Sequence, residues 1–250
     1  MKKHRWFAAL AVMVMALAVA GCSNPSSGTG NSGDDNPVSQ QPDYSKCVVG
    51  DFVLKDGTML PKDITLTDTQ KSNVAAVIVR AATNDKSALG VGIVHNRIGL
   101  EWCSSSAAGY NTNIAALRGD TASGYMDGSD SWEKLKAACS DAESNPENYP
   151  AWNYSLTYAK NNGLTGDLVT GWYLPTVAEL YTIYQNKNAV DASLAKASGS
   201  TFGTEYNYWS CCQDPSTNYN ARGLYFVNGD MGNDGKDSNN GYVCSVRAFN

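Results

Sequence analysis

Apolar positions in this chain fall into short runs divided by polar turn formers, and their spacing changes from strand-like to helical and back. Val48–Leu54 leads into Asp56-Gly57-Thr58, a strand entering a turn. Val74–Arg80 (VAAVIVR) is apolar almost throughout, which predicts a strand buried on both faces. Ala88–Trp102 predicts two strands around His95-Asn96. Asn111–Arg118, Ser131–Cys139 and Ala151–Asn162 are predicted as helices; Ser129 or Asp130 can cap the second, and Gly163 stops the third. The sharpest local signal is Gly171-Trp172-Tyr173-Leu174-Pro175-Thr176 followed by a helix to Tyr184. Thr176 and Glu179 have capping-box spacing, and Val177, Leu180, Ile183 and Tyr184 recur on one helical face. A weaker helix, Ala189–Ala197, follows. Two β-like runs close the chain, Arg222–Val227 and Tyr242–Phe249. Strands on both sides of a helical middle predict an α+β domain.

The N-terminus carries a different signal. Lys2, Lys3 and Arg5 precede the apolar run Trp6–Ala20, which is short for a membrane span. Val19-Ala20-Gly21-Cys22 resembles a bacterial lipobox, which implies a leader over 1–21, cleavage before Cys22 and lipidation of that residue. The expected location is the outer membrane or cell surface, held by the lipid. Residues 22–46 are rich in Ser, Gly, Asn, Asp, Pro and Gln and read as a disordered tether. From Cys47 to Asn250 the composition is globular, without internal repeat or second linker, and predicts one domain.

Charge narrows the choice of partner. Without Lys2, Lys3 and Arg5 the 19 Lys+Arg fall to 16 against 24 Asp+Glu, a formal charge of −8. No basic patch stands out, which argues against nucleic acid. His95 is the single histidine after the leader and has no paired nucleophile, so a structural role is expected and no catalytic residue is assigned. Cys47, Cys103, Cys139, Cys211, Cys212 and Cys244 match no zinc spacing, and an even exported set permits disulfides. Cys211 and Cys212, being adjacent, are not expected to pair with each other. Asp120, Asp127 and Asp130 could line a calcium site but read better as solvated loop carboxylates, so neither metal nor cofactor is assigned.

The tail Tyr206–Asn250 mixes Tyr with Asn, Asp, Ser and Gly. That mixture suits recognition, since Tyr gives a rigid contact surface and the small polar residues give adaptable hydrogen bonds. With GWYLPTVAEL, YWS and the terminal VRAF in that order, the chain resembles the C-type-lectin-like variable proteins of diversity-generating retroelements, in particular their lipoprotein members. The resemblance covers nearly all of Cys47–Asn250 and implies a C-type-lectin-like fold with a variable region at about 206–250. In that family adenines at the 3′ end of the gene are rewritten, with Asn codons as main targets. The positions it marks as variable and ligand-binding are Tyr206, Tyr208, Cys212, Asp214, Asn218, Tyr219, Asn220, Arg222, Tyr225, Asn228, Asp230, Asn233 and Asp234. Met231 and Lys236 do not fit that codon pattern. The implied function is recognition of a protein or glycan ligand at the cell surface by a monomer, without catalysis. The alternatives are an invariant adhesin or carbohydrate-binding lipoprotein of the same fold, and a formylglycine-generating enzyme, whose Arg-Gly-Gly-Ser-type segment is missing here. Strand parity, with Trp209 facing inward, turns Tyr206, Tyr208 and Tyr225 outward as an aromatic patch.

Overall fold

The computed structural model describes residues 42–119 and 125–250; the leader, Cys22, the tether as far as 41 and Asp120 lie outside the described residues. The strands are β1 (Phe52–Leu54), β2 (Met59–Leu60), β3 (Val74–Arg80), β4 (Ala88–Gly92), β5 (Asn96–Leu100), β6 (Trp172–Tyr173), β7 (Asn207–Gln213), β8 (Asn220–Tyr225), β9 (Met231–Gly235), β10 (Gly241–Val243) and β11 (Val246–Phe249). They form a six-stranded sheet, β2-β1-β3-β4-β11-β6, and a five-stranded sheet, β5-β10-β7-β8-β9. The helices are short: α1 (Asp68–Asn73), α2 (Ser131–Ala138), α3 (Pro150–Leu156), α4 (Tyr158–Asn161), α5 (Val177–Gln185) and α6 (Lys187–Lys196). The architecture is mixed α+β.

β3 has six of its seven residues buried, because β1 and β4 flank it and both faces are covered. Helix α5 packs on β3 of the first sheet and on β7 and β8 of the second. Its Leu180 and Ile183 share one core with Phe52, Leu89, Tyr208 and Leu224. A second core lies on the other side of β7, where Trp102, Trp152 and Trp209 meet. The second sheet is therefore covered on both faces along much of its length.

The α5 capping box is present as predicted. Glu179 N–H donates to Thr176 Oγ1 at 3.1 Å, and Thr176 N–H donates to Glu179 Oε2 at 2.8 Å. Glu179 Oε1 accepts from the Tyr173 hydroxyl at 2.7 Å. The carboxyl is almost fully buried, and that burial pushes its pKa up to about 7. Thr176→Ala should cost about 0.5–2 kcal/mol through the lost cap. A urea titration checks this, and an unchanged midpoint would mean that the box does not stabilise the fold.

Several predicted elements change form. Asn111–Arg118 is helical only as a 3-10 turn at Ala115–Leu117, because Ile114 N–H turns away to donate to Gln213 Oε1 at 2.6 Å. The helix predicted over Ala151–Asn162 starts at Pro150 and breaks at Thr157, whose hydroxyl bonds back to the Asn153 carbonyl at 2.6 Å. Neither Ser129 nor Asp130 caps α2: Asp130 sits at the N-cap without a capping bond, because its carboxylate takes Tyr125 Oη (2.6 Å) and Lys134 Nζ (2.8 Å). The run Tyr242–Phe249 divides at Cys244-Ser245 into β10 and β11, which belong to different sheets.

Candidate ligand-binding face

The tail builds β7 to β11, and β7 is the strand that decides which side chains can meet a ligand. All seven of its residues are buried. Trp209 enters the tryptophan core as expected, with its indole N–H donating to the Leu100 carbonyl at 2.7 Å. Tyr208 points the opposite way, as alternation demands, but that side is also core. It is fully buried, its ring centroid 5.0 Å from Phe226 and 5.5 Å from Tyr242. The expectation that Tyr208 faces outward is thus corrected: parity separates the two faces of a strand, but it does not say that one of them is wet. Cys212 is likewise fully buried and cannot present its side chain to a ligand in this conformation.

A patch remains on β7, β8 and β9. Gly223 and Gly232 are cross-strand partners on adjacent strands. A Cβ at Gly223 would stand 2.6 Å from Asn207 Nδ2, and one at Gly232 would stand 2.7 Å from Tyr225 Cε2. The two glycines form a floor, and the side chains of Asn207 and Tyr225 lie across it. Asn207 Nδ2 donates to Asp234 Oδ2 at 3.1 Å. Burial raises the Asp234 carboxyl above its usual range, and the Asn207 bond pulls it partly back. Tyr225 is half-buried, its phenol raised by desolvation first and by the nearby Asp234 second. Beside the patch, Asn228 and Asp230 are exposed in the β8–β9 turn, where Asn228 Oδ1 accepts from Asp230 N–H at 3.1 Å. Tyr206 is 45% exposed and sits edge-on to Tyr242 at 5.3 Å.

The other predicted residues gather at the far end of the same strands. Asn207 pairs with Tyr225 at one end and Gln213 with Ala221 at the other. On β8 those ends are four residues apart, about 13 Å at strand rise, the two extra residues of β7 being taken up by its register shift. At the far end Asp214 is buried and organises a turn: Oδ1 accepts from Ser216 N–H (2.7 Å) and Thr217 N–H (3.1 Å). Oδ2 accepts from Asn233 Nδ2 at 2.8 Å and lies 3.4 Å from Arg222 Nε. Burial opposes the charge on Asp214, but the hydrogen bonds from Ser216 and Asn233, helped by Arg222, hold its pKa below the usual value. Asn218 Oδ1 accepts from Arg118 Nη2 at 3.2 Å, and the Asn220 carbonyl accepts from Asp214 N–H at 3.1 Å. Tyr219 is 51% exposed. The predicted residues therefore form two groups, one around Tyr225 and one around the Asp214 turn, while Tyr208 and Cys212 are buried in the two cores on opposite sides of β7.

Sequence reasoning missed two residues that hold this face. Gln213 is buried and links three segments: its Oε1 accepts from Ile114 N–H, and its Nε2 donates to the carbonyls of Thr217 and Asn218, each at 3.2 Å. Lys236 is fully buried; its Nζ donates to the Gly109 carbonyl at 2.6 Å and lies 4.8 Å from the Trp102 ring centroid. Loss of solvent lowers its pKa to about 8.

His95 is buried beside Phe202, with ring centroids 4.6 Å apart, and neither ring nitrogen has a hydrogen-bond partner. Asp127 accepts from Ser129 N–H at 2.9 Å, so it and Asp130 are both engaged locally. Among the described residues, no group of three or more His, Cys, Asp and Glu side chains could hold a metal ion. No described helix is long and apolar enough to cross a membrane. A concavity of about 460 Å³ lies elsewhere, between the β1–β2 turn, Thr165–Leu168 and Arg247, and includes none of the predicted ligand-binding residues.

No family model matches the sequence, and no curated protein is significantly similar to it. Among solved structures, a fimbrial protein from Bacteroides ovatus ATCC 8483 superposes with a TM-score of 0.59 at 13% identity. The match covers 81% of this chain and 49% of that protein, so this chain spans about half of its length. At that identity the likeness concerns the fold alone.

Proposed function

We propose that this chain is a ligand-binding protein of C-type-lectin-like fold, anchored at a bacterial cell surface by a lipid on Cys22, with a C-terminal face diversified by a retroelement. The observation that carries this reading is the patch on β7–β9, where half-buried Tyr225 and Asp234 lie by a glycine floor, tied from within by buried Asn207, on a sheet whose other side is core. Such a patch keeps its backbone while outward side chains change. Tyr225, Asn228, Asp230 and Tyr206 form the near contact group, and Tyr219, Asn220, Asn218 and Asn233 form the far one. Asp214 and Arg222 support the far turn from beneath. The order GWYLPTVAEL, YWS, VRAF supports the family assignment, and the two-sheet α+β architecture is compatible with it. A near-copy of the gene's 3′ end that differs at adenines, beside a reverse transcriptase gene, is expected downstream. If both are missing, the diversification reading fails.

Tyr225→Ser should weaken a ligand selected on the wild-type protein by about 2 kcal/mol, roughly thirtyfold in Kd. Its stability should fall by about 1 kcal/mol, because only part of the ring is buried. Isothermal titration and a melting curve on the same sample separate the two effects. Unchanged affinity for every selected ligand would remove Tyr225 from the face.

A second reading is an invariant adhesin or structural subunit of the same fold, and the fimbrial neighbour favours it. Gene copies from many isolates decide: identical codons at Tyr206, Tyr219 and Tyr225 throughout would select this reading.

A further inference from the structure

Neighbouring strand residues normally point to opposite faces, but Cys211 and Cys212 do not. The pairing of β7 with β8 shifts register between Trp209 and Gln213, and both cysteines are fully buried in the same tryptophan-lined core. Irregularity of this kind re-aims side chains, and here it brings two thiols to one side. Cys211 N–H donates to the Pro175 carbonyl at 2.7 Å, and Cys212 N–H donates to Ser210 Oγ at 3.1 Å. The Cys212 sulfur accepts from Val177 N–H, in the first turn of α5, at 3.5 Å. Both are free thiols in the structure, and we propose that Cys211 and Cys212 are a redox pair that closes to a vicinal disulfide across the irregular stretch of β7. Adjacency alone argues against such a bond, and the structure shows both thiols free; it is their shared core and the local register shift that favour it on oxidation.

The chemistry is thiol–disulfide exchange with an external disulfide, either glutathione disulfide or that of an oxidoreductase. Cys212 is the attacking sulfur: its thiolate is favoured by the neighbouring Cys211 thiol and by the Val177 N–H, which donates to it at 3.5 Å. Its thiolate displaces one thiol from the external disulfide and forms a mixed disulfide. Cys211 then loses its proton and attacks the Cys212 sulfur, releasing the second external thiol. Two protein thiols are oxidised and one external disulfide is reduced to two thiols. Since both sulfurs are buried in the folded chain, closure belongs to folding or to local opening of β7. A disulfide between adjacent residues is strained, which makes it easier to reduce than an ordinary structural bridge.

The consequence falls on the far contact group. Gln213, the next residue, holds Ile114 and the turn that carries Asn218 and Tyr219. With the pair open, Gln213 makes all three of these bonds, so closing a strained ring beside it should disturb them and loosen the turn.

The test refolds full-length protein in a glutathione redox buffer, blocks free thiols under denaturing conditions and maps the tryptic peptide 197–222. That peptide contains Cys211 and Cys212 and no other cysteine. The expected result is a peptide without alkyl groups and lighter by two hydrogen atoms than its reduced form. Cys211→Ser should abolish the closed form, and the double variant Cys103→Ser, Cys139→Ser should retain it. A doubly alkylated peptide at every redox poise, or a bridge from either cysteine to a partner outside the peptide, overturns the proposal. A physiological role rests on the surface reading, because exported proteins meet an oxidising environment. Surface display is measured separately, by protease access on whole cells, so its failure would not be mistaken for failure of the pair.

Discussion

Trp209→Ala is expected to destabilise the protein by about 3–5 kcal/mol, and Tyr208→Ser by a similar amount. A typical domain has only about 5–15 kcal/mol to lose, so either change should bring the protein close to unfolding at ambient temperature. Trp209 fills the core formed with Trp102 and Trp152, and truncation also orphans the Leu100 carbonyl that its indole N–H satisfies. Tyr208 fills the opposite core beside Phe202, Phe226 and Tyr242, and its hydroxyl accepts from Gly203 N–H at 3.1 Å. Tyr206 and Tyr219, at 45% and 51% exposure, should change stability by only about 0.5 kcal/mol when replaced by Ser. Urea titrations on the four variants give the comparison. A Tyr208→Ser variant as stable as wild type would mean that the inner face of β7 is not packed as described.

That contrast marks where the sequence was readable. Helix α5 was legible because its cap, N3 glutamate and apolar spacing are local, and local signals survive into the fold. β3 was legible because six of its seven residues are buried. The helix at Asp68–Asn73 carries an equally local box, Thr67 with Gln70, and could have been read the same way. β9 (MGNDG) offers almost no strand-forming side chains and forms because β8 gives it a pairing edge. Tyr208 was misplaced because alternation cannot report a second covering layer. Lys236, an exception to the codon pattern, has a structural use: its ammonium joins β9–β10 to Gly109 under the Trp102 ring. The division of the predicted contact residues into two ends depended on pairing register, which no single strand encodes.

Between pH 4.5 and 6.5 the stability of the wild-type protein should be nearly flat, because two buried groups pull in opposite directions. His95 lacks hydrogen-bond partners, and burial lowers its pKa from 6.5 to about 3; the backbone of Gly92 pulls the other way without reaching hydrogen-bond geometry. Across this window the unfolded chain takes up a proton at His95 that the folded chain refuses, so its contribution falls as pH falls. Glu179 behaves oppositely, with a folded pKa raised from 4.5 to about 7, mainly by burial. Here the folded chain holds the proton and the unfolded chain releases it, so its contribution falls as pH rises. Each slope approaches about 1.4 kcal/mol per pH unit in mid-window and falls off at the edge where the unfolded group is half titrated, giving about 2 kcal/mol across the window. His95→Phe leaves the glutamate unopposed, so that variant should lose stability as pH rises from 4.5 to 6.5. Glu179→Gln leaves the histidine unopposed and should gain stability over the same range, from a lower level set by the altered cap. Urea titrations at each half unit of pH resolve the two tilts. Flat profiles in both variants would show that neither side chain is buried in the ionisation state described, whereas tilts of opposite sign place both inside the core.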